Sequence, residues 1–310
     1  MKKLKKIILI VVVMALAFVL GDKLAIHTGK KVDKKAVAFR VEVPRKFVDY
    51  EMLSMINFVA DLFEKKGFSV KGVVYGGNMY SKEIDNAYVN IFVRGYASGF
   101  DKRISDDRID IYLAHKVSLV YIEEFRNYDY YLSVVPELND AISAINSGKV
   151  SLLPVGAAKR KLLKPNYEYD VLFIHEKYDD NIKTMLDEIG SYKIFDGFEF
   201  GKLSQKEREK ELSKAKVVLY VSNFEEGKGT RYIPFAVYDI ISYGRPVITN
   251  HKIVKNDDMI EIYDNINMLR FKLKRMLQNT DDNRENKAKV VRDKVLKKKY
   301  EIDVLTKIKH

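Results

Sequence analysis

The stretch that most constrains the fold is residues 231–250, RYIPFAVYDIISYGRPVITN. Its apolar residues predict a helix over 233–243 that stops at Gly244, because a glycine with a nearby proline commonly marks the end of a helix. A short buried strand is predicted next, over 246–249. The preceding run, residues 215–223, is rich in valine and predicts another strand, and a polar loop, FEEGKGT, joins the two parts. A strand, a glycine-bearing loop and a helix in this order can aim backbone N–H groups at a phosphate.

The same alternation of strands and helices runs through the rest of the chain. A helix is predicted over 49–66, with Asp49 as its N-cap and Gly67 at its end. Strands and helices then alternate up to residue 155, and the alternation restarts with a strand over 170–175. The predicted strands are 35–43, 68–75, 88–93, 109–114, 130–135, 150–155, 170–175 and 193–200, and the further helices are 119–125, 137–145, 181–189 and 204–214. Such a pattern indicates mostly parallel sheets covered by helices on both faces.

We therefore predict an α/β fold class with two Rossmann-like domains. A length of 310 residues suits two domains of ordinary size. The predicted N-terminal domain covers residues 33–157 and the C-terminal domain 170–268. A basic, proline-containing linker lies between them at 158–169, and a basic helical tail covers 269–310. Residues 1–30 form an N-terminal membrane anchor or signal segment in this prediction.

The N-terminal segment allows three interpretations. A basic start, MKKLKK, precedes an apolar run over residues 7–20, which is short for a membrane span unless residues up to 26 join it with Lys23 reaching back to the surface. A cleaved secretory signal is the second interpretation, although its candidate Ala-Leu-Ala site lies inside the run. A buried first strand or helix is the third. Basic residues lie on both sides of the run, so charge does not decide its orientation.

Composition excludes several classes of site. The chain has no cysteine, which rules out disulfides and thiolate metal ligands, and its five histidines show no helical pairing. The net charge is +12, and the lysine excess lies at both ends. Residues 284–299 carry eight basic and two acidic residues, which is typical of a solvated helix face or of a surface attracted to anionic lipid. This charge distribution favours an anionic membrane surface over nucleic acid as a partner.

Residues 231–250 resemble the donor-binding element of nucleotide-sugar-dependent glycosyltransferases of the GT-B fold, in particular the group 1 and CgeB-like members. There an acidic residue on a helix is followed by a small residue, a glycine and Pro-Val-Ile. Asp239 takes the acidic place here, with Gly244 after it. The first acid of the family's E-x7-E pattern falls on Arg231, and the arginine of a related branch falls on Ala236, so both positions depart from the pattern.

The resemblance implies a two-domain, GT-B-like enzyme of the hexosyltransferase type. It would move a sugar from a nucleotide-sugar donor, held by the second domain, to a glycan or a lipid-linked acceptor held by the first. The C-terminal residues Tyr300, Ile302, Val304 and Leu305 would pack against the first domain. The chain has no D-x-D, dinucleotide, P-loop or nucleophile-elbow motif. We therefore expect the diphosphate to be held without a metal or any other cofactor.

Sugar transfer develops negative charge on the departing diphosphate, so cations and N–H groups must meet it. Gly227 and Gly229 let the 224–230 loop approach a phosphate closely, and Lys228 and Arg231 supply charge. A solvated loop without a ligand is the alternative. The predicted donor-binding residues are Lys177, Gly227, Lys228, Gly229, Arg231 and Asp239.

Two of these predictions rest on the family. Asp239 would accept hydrogen bonds from a ribose or sugar hydroxyl pair, unless an N–H or arginine partner holds it inside the helix packing. Lys177 follows the 170–175 strand, where many members place a cation. His115, at the end of the 109–114 strand, is the predicted catalytic residue, since a first-domain histidine often faces the sugar in this family. The alternative for His115 is a structural histidine whose polar groups are hydrogen-bonded within the fold.

Three overall functions remain open from the sequence. The first is a membrane-associated glycosyltransferase with a single-pass N-terminal anchor and a cytoplasmic catalytic body, since nucleotide sugars are made there. The second is a non-catalytic relative that binds a nucleotide or glycan as a partner subunit, which the departures at Arg231 and Ala236 favour. The third is an exported binding protein with two similar lobes, which a cleaved N-terminus would favour.

Overall fold

The computed structural model describes residues 32–76, 86–94, 107–114, 128–134, 140, 143–144, 150–223, 234–250, 261–298, 300 and 302–308. Residues 34–310 belong to one compact unit. Two β-sheets lie within it, one built from strands before residue 153 and the other from strands after residue 168. The strand pairs are parallel, as the alternating pattern predicted for the α/β class, and in the described ranges helices follow strands of both sheets.

The first sheet has six strands: β1 (Asp33–Val41), β2 (Ser69–Tyr75), β3 (Ala87–Arg94), β4 (Ile109–Ala114), β5 (Tyr130–Ser133) and β6 (Val150–Leu152). Their order across the sheet is β2-β1-β3-β4-β5-β6. β1 pairs in parallel with β2, and β3 to β6 pair in parallel one after another. Most residues of the central strands are buried and apolar, as in a parallel sheet covered on both sides, but Arg40, Asn90 and Asp110 form a buried hydrogen-bonded chain across β1, β3 and β4.

The second sheet has five strands: β7 (Tyr169–His175), β8 (Tyr192–Asp196), β9 (Ala215–Val221), β10 (Val247–Thr249) and β11 (Glu261–Ile262). Their order is β11-β10-β9-β7-β8, and every neighbouring pair is parallel. β7 and β9 form its buried centre. All five carboxyl ends therefore lie at one edge of the sheet, and all amino ends lie at the other.

Eight α-helices surround the sheets: α1 (Tyr50–Lys65), α2 (Asp180–Ile189), α3 (Gly197–Lys202), α4 (Gln205–Lys214), α5 (Phe235–Ser242), α6 (Ile266–Gln278), α7 (Asp281–Lys297) and α8 (Asp303–Lys307), counted over the described ranges. The Asp49 carboxylate accepts a hydrogen bond from the Met52 amide at 2.7 Å, which confirms the predicted N-cap of α1. Gly244 has a φ of 77°, as a helix-ending glycine does. A side chain at Gly244 would also collide with Leu162.

Helix α1 contacts both halves of the protein, the first half being the part built on the first sheet and the second half the part built on the second sheet. Its apolar face packs on the first sheet, and it also contacts α5 and α3 of the second half. The Phe58 ring of α1 lies 5.1 Å from the Tyr300 ring and 5.7 Å from the Phe235 ring. Ile302, Val304 and Leu305 are buried in the same cluster. The predicted packing of the C-terminal residues on the first half is therefore confirmed.

One predicted strand is wrong in its second half. The strand expected over 193–200 ends at Asp196, because the Asp196 carboxylate accepts a hydrogen bond from the Glu199 amide and caps α3. Other predictions, the helix over 119–125 and the anchor or signal segment over 1–30, lie outside the described residues. Within the described ranges, no helix combines the length and the apolar character that crossing a membrane requires.

Candidate functional site

The carboxyl edge of the second sheet gathers polar residues from three strands. His175 ends β7 and is followed by Glu176 and Lys177, Ser222 follows β9, and Asn250 follows β10. These residues come together because β7, β9 and β10 are parallel neighbours with matched register. Ligands of open α/β sheets bind at this edge.

A pocket of ≈ 550 Å³ opens there, which we term the carboxyl-edge pocket. Lys177 is its only Lys or Arg among the described lining residues, while three carboxylates and several amide or hydroxyl groups also face it. Carboxylate and amide oxygens accept hydrogen bonds from hydroxyl groups. The pocket is therefore suited to a hydroxyl-rich ligand with an anionic part near Lys177. Its polar lining residues are Lys177, Asp179, Asp180, Asn181, Ser222, Asn250, Tyr263, Asp264 and Asn265.

Two side chains hold the start of the loop that follows β9. The Glu176 carboxylate accepts hydrogen bonds from the Tyr220 hydroxyl at 2.7 Å and from the Asn223 amide at 3.0 Å. The Asn250 side chain accepts from the Ser222 amide at 3.0 Å and donates to the Ser222 carbonyl at 3.1 Å. Residues 222–223 are thus fixed before the chain enters the predicted phosphate-binding loop.

His175 lies behind this edge. Its ring packs 5.2 Å from the Phe173 ring and 5.1 Å from the Tyr178 ring, and its Nδ1 is buried without a hydrogen-bond partner. Burial lowers the pKa of His175, although the Asp196 and Glu199 carboxylates act against that shift. The neutral imidazole is therefore the favoured form at neutral pH.

Asp239 lies away from the carboxyl-edge pocket, on the face of α5 that meets the first half. It is 3% exposed, and both carboxylate oxygens accept hydrogen bonds: Oδ2 from the Tyr50 hydroxyl at 2.9 Å and Oδ1 from Arg160 Nε at 3.0 Å. Burial acts to lower the pKa of Arg160, but the Asp239 carboxylate outweighs it and the net shift is upward. Burial and then Asp239 raise the pKa of Tyr50. The network ties α1, the segment of residues 158–169 that contains Arg160, and α5 together.

The N-terminus of α5 already holds a carboxylate. Pro234 precedes the helix and supplies no side-chain cap. The Glu51 carboxylate of α1 instead accepts hydrogen bonds from the Phe235 amide at 2.9 Å and the Ala236 amide at 2.8 Å. Glu51 is 2% exposed. An anion from the first half therefore occupies the N-terminal end of a second-half helix, where the exposed N–H groups and the helix dipole favour negative charge.

Of the predicted site residues, Lys177 lines the carboxyl-edge pocket and Asp239 does not. The others, His115, Gly227, Lys228, Gly229 and Arg231, lie outside the described residues. The sequence interpretation missed Asn250, Ser222 and Glu51. Asn250 and Ser222 end the two apolar runs that predicted β10 and β9, so their place at the strand ends was a usable signal. Glu51 carried no local signal, because its partners lie more than 180 residues away.

Metal-binding geometry is absent from the part of the chain that the structure describes: no three or more His, Asp or Glu side chains are grouped to hold an ion. One carboxylate of the carboxyl-edge pocket serves another contact, since that of Asp179 caps α2 by accepting a hydrogen bond from the Asn181 amide at 2.9 Å.

Comparison with known proteins gives a result from structure only. No family model matches the chain, and no curated protein matches it. Two solved structures of an alpha-glucosyltransferase, one with UDP-glucose and DNA containing an abasic site and one with UDP and a mismatched 13-mer DNA, superpose with TM-scores of 0.53 and 0.54 at 9% identity. Each comparison covers 84% of this chain and 94% of the other. A lipopolysaccharide outer core galactosyltransferase, WaaB, has a TM-score of 0.41 at 14% identity over 83% of this chain and 96% of its own.

An identity of 9% carries no information on activity, but the superposition extends over both sheets and most of both chains. Two parallel sheets in sequence, each with its own helices, agree with that result. The chain therefore has the GT-B fold, the two-sheet α/β architecture of nucleotide-sugar glycosyltransferases.

Proposed function

We propose that this protein is a glycosyltransferase of the hexosyltransferase type that moves a sugar from a nucleotide-sugar donor to a glycan or lipid-linked acceptor. The observation that carries the proposal is the carboxyl-edge pocket. In it Lys177 lies beside side chains that accept hydrogen bonds from hydroxyl groups, at the edge of the second sheet where ligands of α/β folds bind. The alpha-glucosyltransferase with this fold was solved with UDP-glucose. This is the reason for choosing a nucleotide sugar as the donor.

In the proposed donor site, nucleoside or sugar hydroxyls bind carboxylates and amides of the pocket, such as Asp180, Asp264 and Asn250. Lys177 meets the diphosphate together with Lys228 and Arg231, whose loop carries Gly227 and Gly229. Charge that develops on the leaving diphosphate is stabilised by these cations and by backbone N–H groups, without a metal. His115, which follows β4 directly in the sequence, faces the sugar from the first half in this proposal and orients a hydroxyl or transfers a proton.

Asp239 enters the proposal in a restricted way. Both of its carboxylate oxygens accept hydrogen bonds inside the interface between α1 and α5. Because the carboxylate is buried, a donor hydroxyl reaches it only if the contact between Tyr50 and α5 opens. Donor binding through Asp239 therefore requires α1 to move relative to α5, and that requirement makes the residue testable.

The acceptor side rests on the resemblance. We propose that the first half binds a glycan or glycolipid and that the N-terminal segment holds the protein at a membrane, with the body on the cytoplasmic side. Mass spectrometry of the mature N-terminus tests the anchor, since cleavage near residues 18–28 would contradict it.

Ligand-dependent thermal stability tests the donor site. A ligand at a hundred times its Kd stabilises a protein by about 2.7 kcal/mol. We expect uridine diphosphate or one nucleotide sugar of a panel to raise the Tm of the full chain. Lys177→Ala should weaken diphosphate binding roughly ten-fold and leave uridine binding unchanged, since only the diphosphate carries phosphates. Lys183→Ala is the matched control, because Lys183 lies on the nearby α2, pairs with Asp187 and does not line the pocket.

A second function is favoured by one observation. Glu51 occupies the N-terminus of α5 and Asp239 is held by Tyr50 and Arg160, so two groups of the donor element are engaged within the protein. A non-catalytic, glycosyltransferase-like binding subunit has no need to release them. Failure of every nucleotide and nucleotide sugar to raise the Tm, with glycan binding retained, would support this function and contradict the first.

A further inference from the structure

A second pocket lies at the opposite edge of the second sheet. It has a volume of ≈ 680 Å³ and is formed by the amino end of β10 together with α5, α6 and α7. We term it the amino-edge pocket. Its size is in the range of small-molecule sites. Because it lies at the amino ends of the strands, it is separate from the carboxyl-edge pocket proposed for the donor.

Positive charge dominates the lining of this pocket. Five cationic side chains face it, and one carboxylate, Glu261, which is paired with Lys272 and Arg275. One of the five, Arg284, is largely engaged, since its Nη1 donates to the Met276 carbonyl at 2.8 Å and to the Asn279 carbonyl at 2.9 Å, and its Nη2 pairs with Asp281. The five are Arg245, Arg275, Arg284, Lys287 and Lys294.

Arg245 is the decisive member. It is 2% exposed, and its Nε and Nη1 are buried with no hydrogen-bond partner. It follows Gly244 at the end of α5, within the stretch that defined the fold. Burying a guanidinium without a partner is unfavourable, and buried charges are normally paired or bind an ion. A ligand anion at Arg245 would satisfy both N–H groups.

The rest of the lining is apolar. Ile241, Pro246, Val247, Met276 and Val291 contribute to the wall. An inorganic anion alone would leave this surface uncovered. A guanidinium presents a planar fork of donors that matches the oxygens of a phosphate, and several cations around it suit a doubly charged group.

We propose that the amino-edge pocket binds a phosphate monoester with an apolar substituent, with Arg245 as the residue that contacts the phosphate. The phosphate lies at the buried guanidinium, Lys287 and Lys294 lie near the opening, and the substituent packs on the apolar wall. The same chemistry occurs in a free phosphate ester and in the headgroup of a phosphatidic acid membrane. The site does not depend on the donor pocket or on sugar transfer.

Calorimetric titration of the full chain with butyl phosphate tests the proposal. We expect one binding site, with weaker binding of inorganic phosphate because it lacks the apolar part. Arg245→Met should weaken butyl phosphate at least about ten-fold through loss of charge-assisted hydrogen bonds. The Tm of the ligand-free variant should stay equal or rise, because an apolar side chain replaces an unpaired buried charge. A purely structural arginine would lower the Tm instead.

Lys289→Met is the matched control. Lys289 is exposed on α7, the helix that also carries Lys287 and Lys294, but it does not line the pocket. This variant therefore removes one positive charge, as Arg245→Met does, without changing the site. It should bind butyl phosphate like the parent. If Arg245→Met lowers stability, the double variant Lys287→Met and Lys294→Met gives the same information, since both side chains line the pocket and are exposed.

Absence of butyl phosphate binding by the parent, or equal weakening by the pocket variants and Lys289→Met, would overturn the proposal. Equal affinity for inorganic phosphate and butyl phosphate would overturn the apolar-substituent part. Cosedimentation with phosphatidic acid vesicles that Arg245→Met reduces and Lys289→Met does not would assign a lipid headgroup. Butyl phosphate binding without such cosedimentation would assign a free phosphate ester.

Discussion

The two ends of α5 differ in how their polar groups are satisfied. Toward the first half, Glu51 binds the helix N-terminus, and Tyr50 and Arg160 hold Asp239, so each buried carboxylate has partners. Past the other end, Arg245 is equally buried and has two N–H groups without a partner. Helix α5 and Arg245 belong to one 20-residue stretch, residues 231–250. A satisfied buried network stabilises one arrangement, whereas the buried guanidinium without a partner is the observation on which the proposed phosphate site rests.

The comparison changes how the stretch should be interpreted. Asp239 stood out in the sequence because it takes the acidic place of a donor-binding motif, yet in the fold it joins three segments of the protein. Arg245 matched no motif in the sequence, yet in the fold it is a buried cation of the amino-edge pocket with two N–H groups that have no partner. Motif position and chemical availability are thus separate properties, and three variants test the difference.

The largest effect is expected for Asp239→Ala. Removing the carboxylate leaves the Arg160 guanidinium without its partner at a site where its side chain is 13% exposed. Loss of one partner of a buried ion pair costs about 3–5 kcal/mol, so the denaturation midpoint should fall strongly. Denaturant unfolding followed by circular dichroism measures the change.

Asp187→Ala is the control for that variant. Asp187 pairs with Lys183 on the exposed face of α2 at 2.9 Å, and such surface pairs contribute little to stability. If Asp239→Ala is as stable as Asp187→Ala but loses nucleotide binding, Asp239 is a ligand residue and the interface role is wrong. An Arg160→Met change on the Asp239→Ala background should recover part of the stability, since it removes the unpaired charge.

Glu51→Gln should have an intermediate effect. The amide retains the shape and one acceptor oxygen but loses the negative charge at the N-terminus of α5. We expect a loss of about 1–2 kcal/mol in the free energy of unfolding. The same variant removes the negative charge that would repel a donor phosphate at the N-terminus of α5, so the Kd of uridine diphosphate should fall. Tighter diphosphate binding despite lower stability separates a competing carboxylate from a simple cap, and unchanged binding would place the phosphates elsewhere.

The smallest effect is expected for His175, a partly buried side chain with one buried nitrogen that has no hydrogen-bond partner. Because its folded pKa is lowered from 6.5, its contribution to stability is fully present above pH 6.5 and is lost as pH falls through the folded pKa. The side chain is only partly buried, so water screens the effect and the change in stability should be small. His175→Phe should flatten the dependence of Tm on pH below pH 6.5. An unchanged slope would show that another group controls it.

Much of the fold could be predicted from local sequence. Apolar runs located β7, β9 and β10, and Asp49 and Gly244 set the ends of α1 and α5 as capping rules require. The error at residues 197–200 has a local cause, since Asp196 caps a short helix whose sequence, GFEFGK, has aromatic residues typical of a strand. Lys177 was predicted from the family resemblance, because many members place a cation after the strand that it follows.

The sequence by itself determined the alternation of strands and helices, the two successive sheets and the strand ends at which Lys177, Ser222 and Asn250 lie. These follow from periodicity and from capping residues, which act over a few positions. Only the tertiary structure decided which polar groups are free. Glu51 meets α5 across more than 180 residues, and Arg160 meets Asp239 across 79. Such contacts depend on how whole helices pack. Burial then strengthens each hydrogen bond that is made and raises the free-energy cost of each polar group left without a partner.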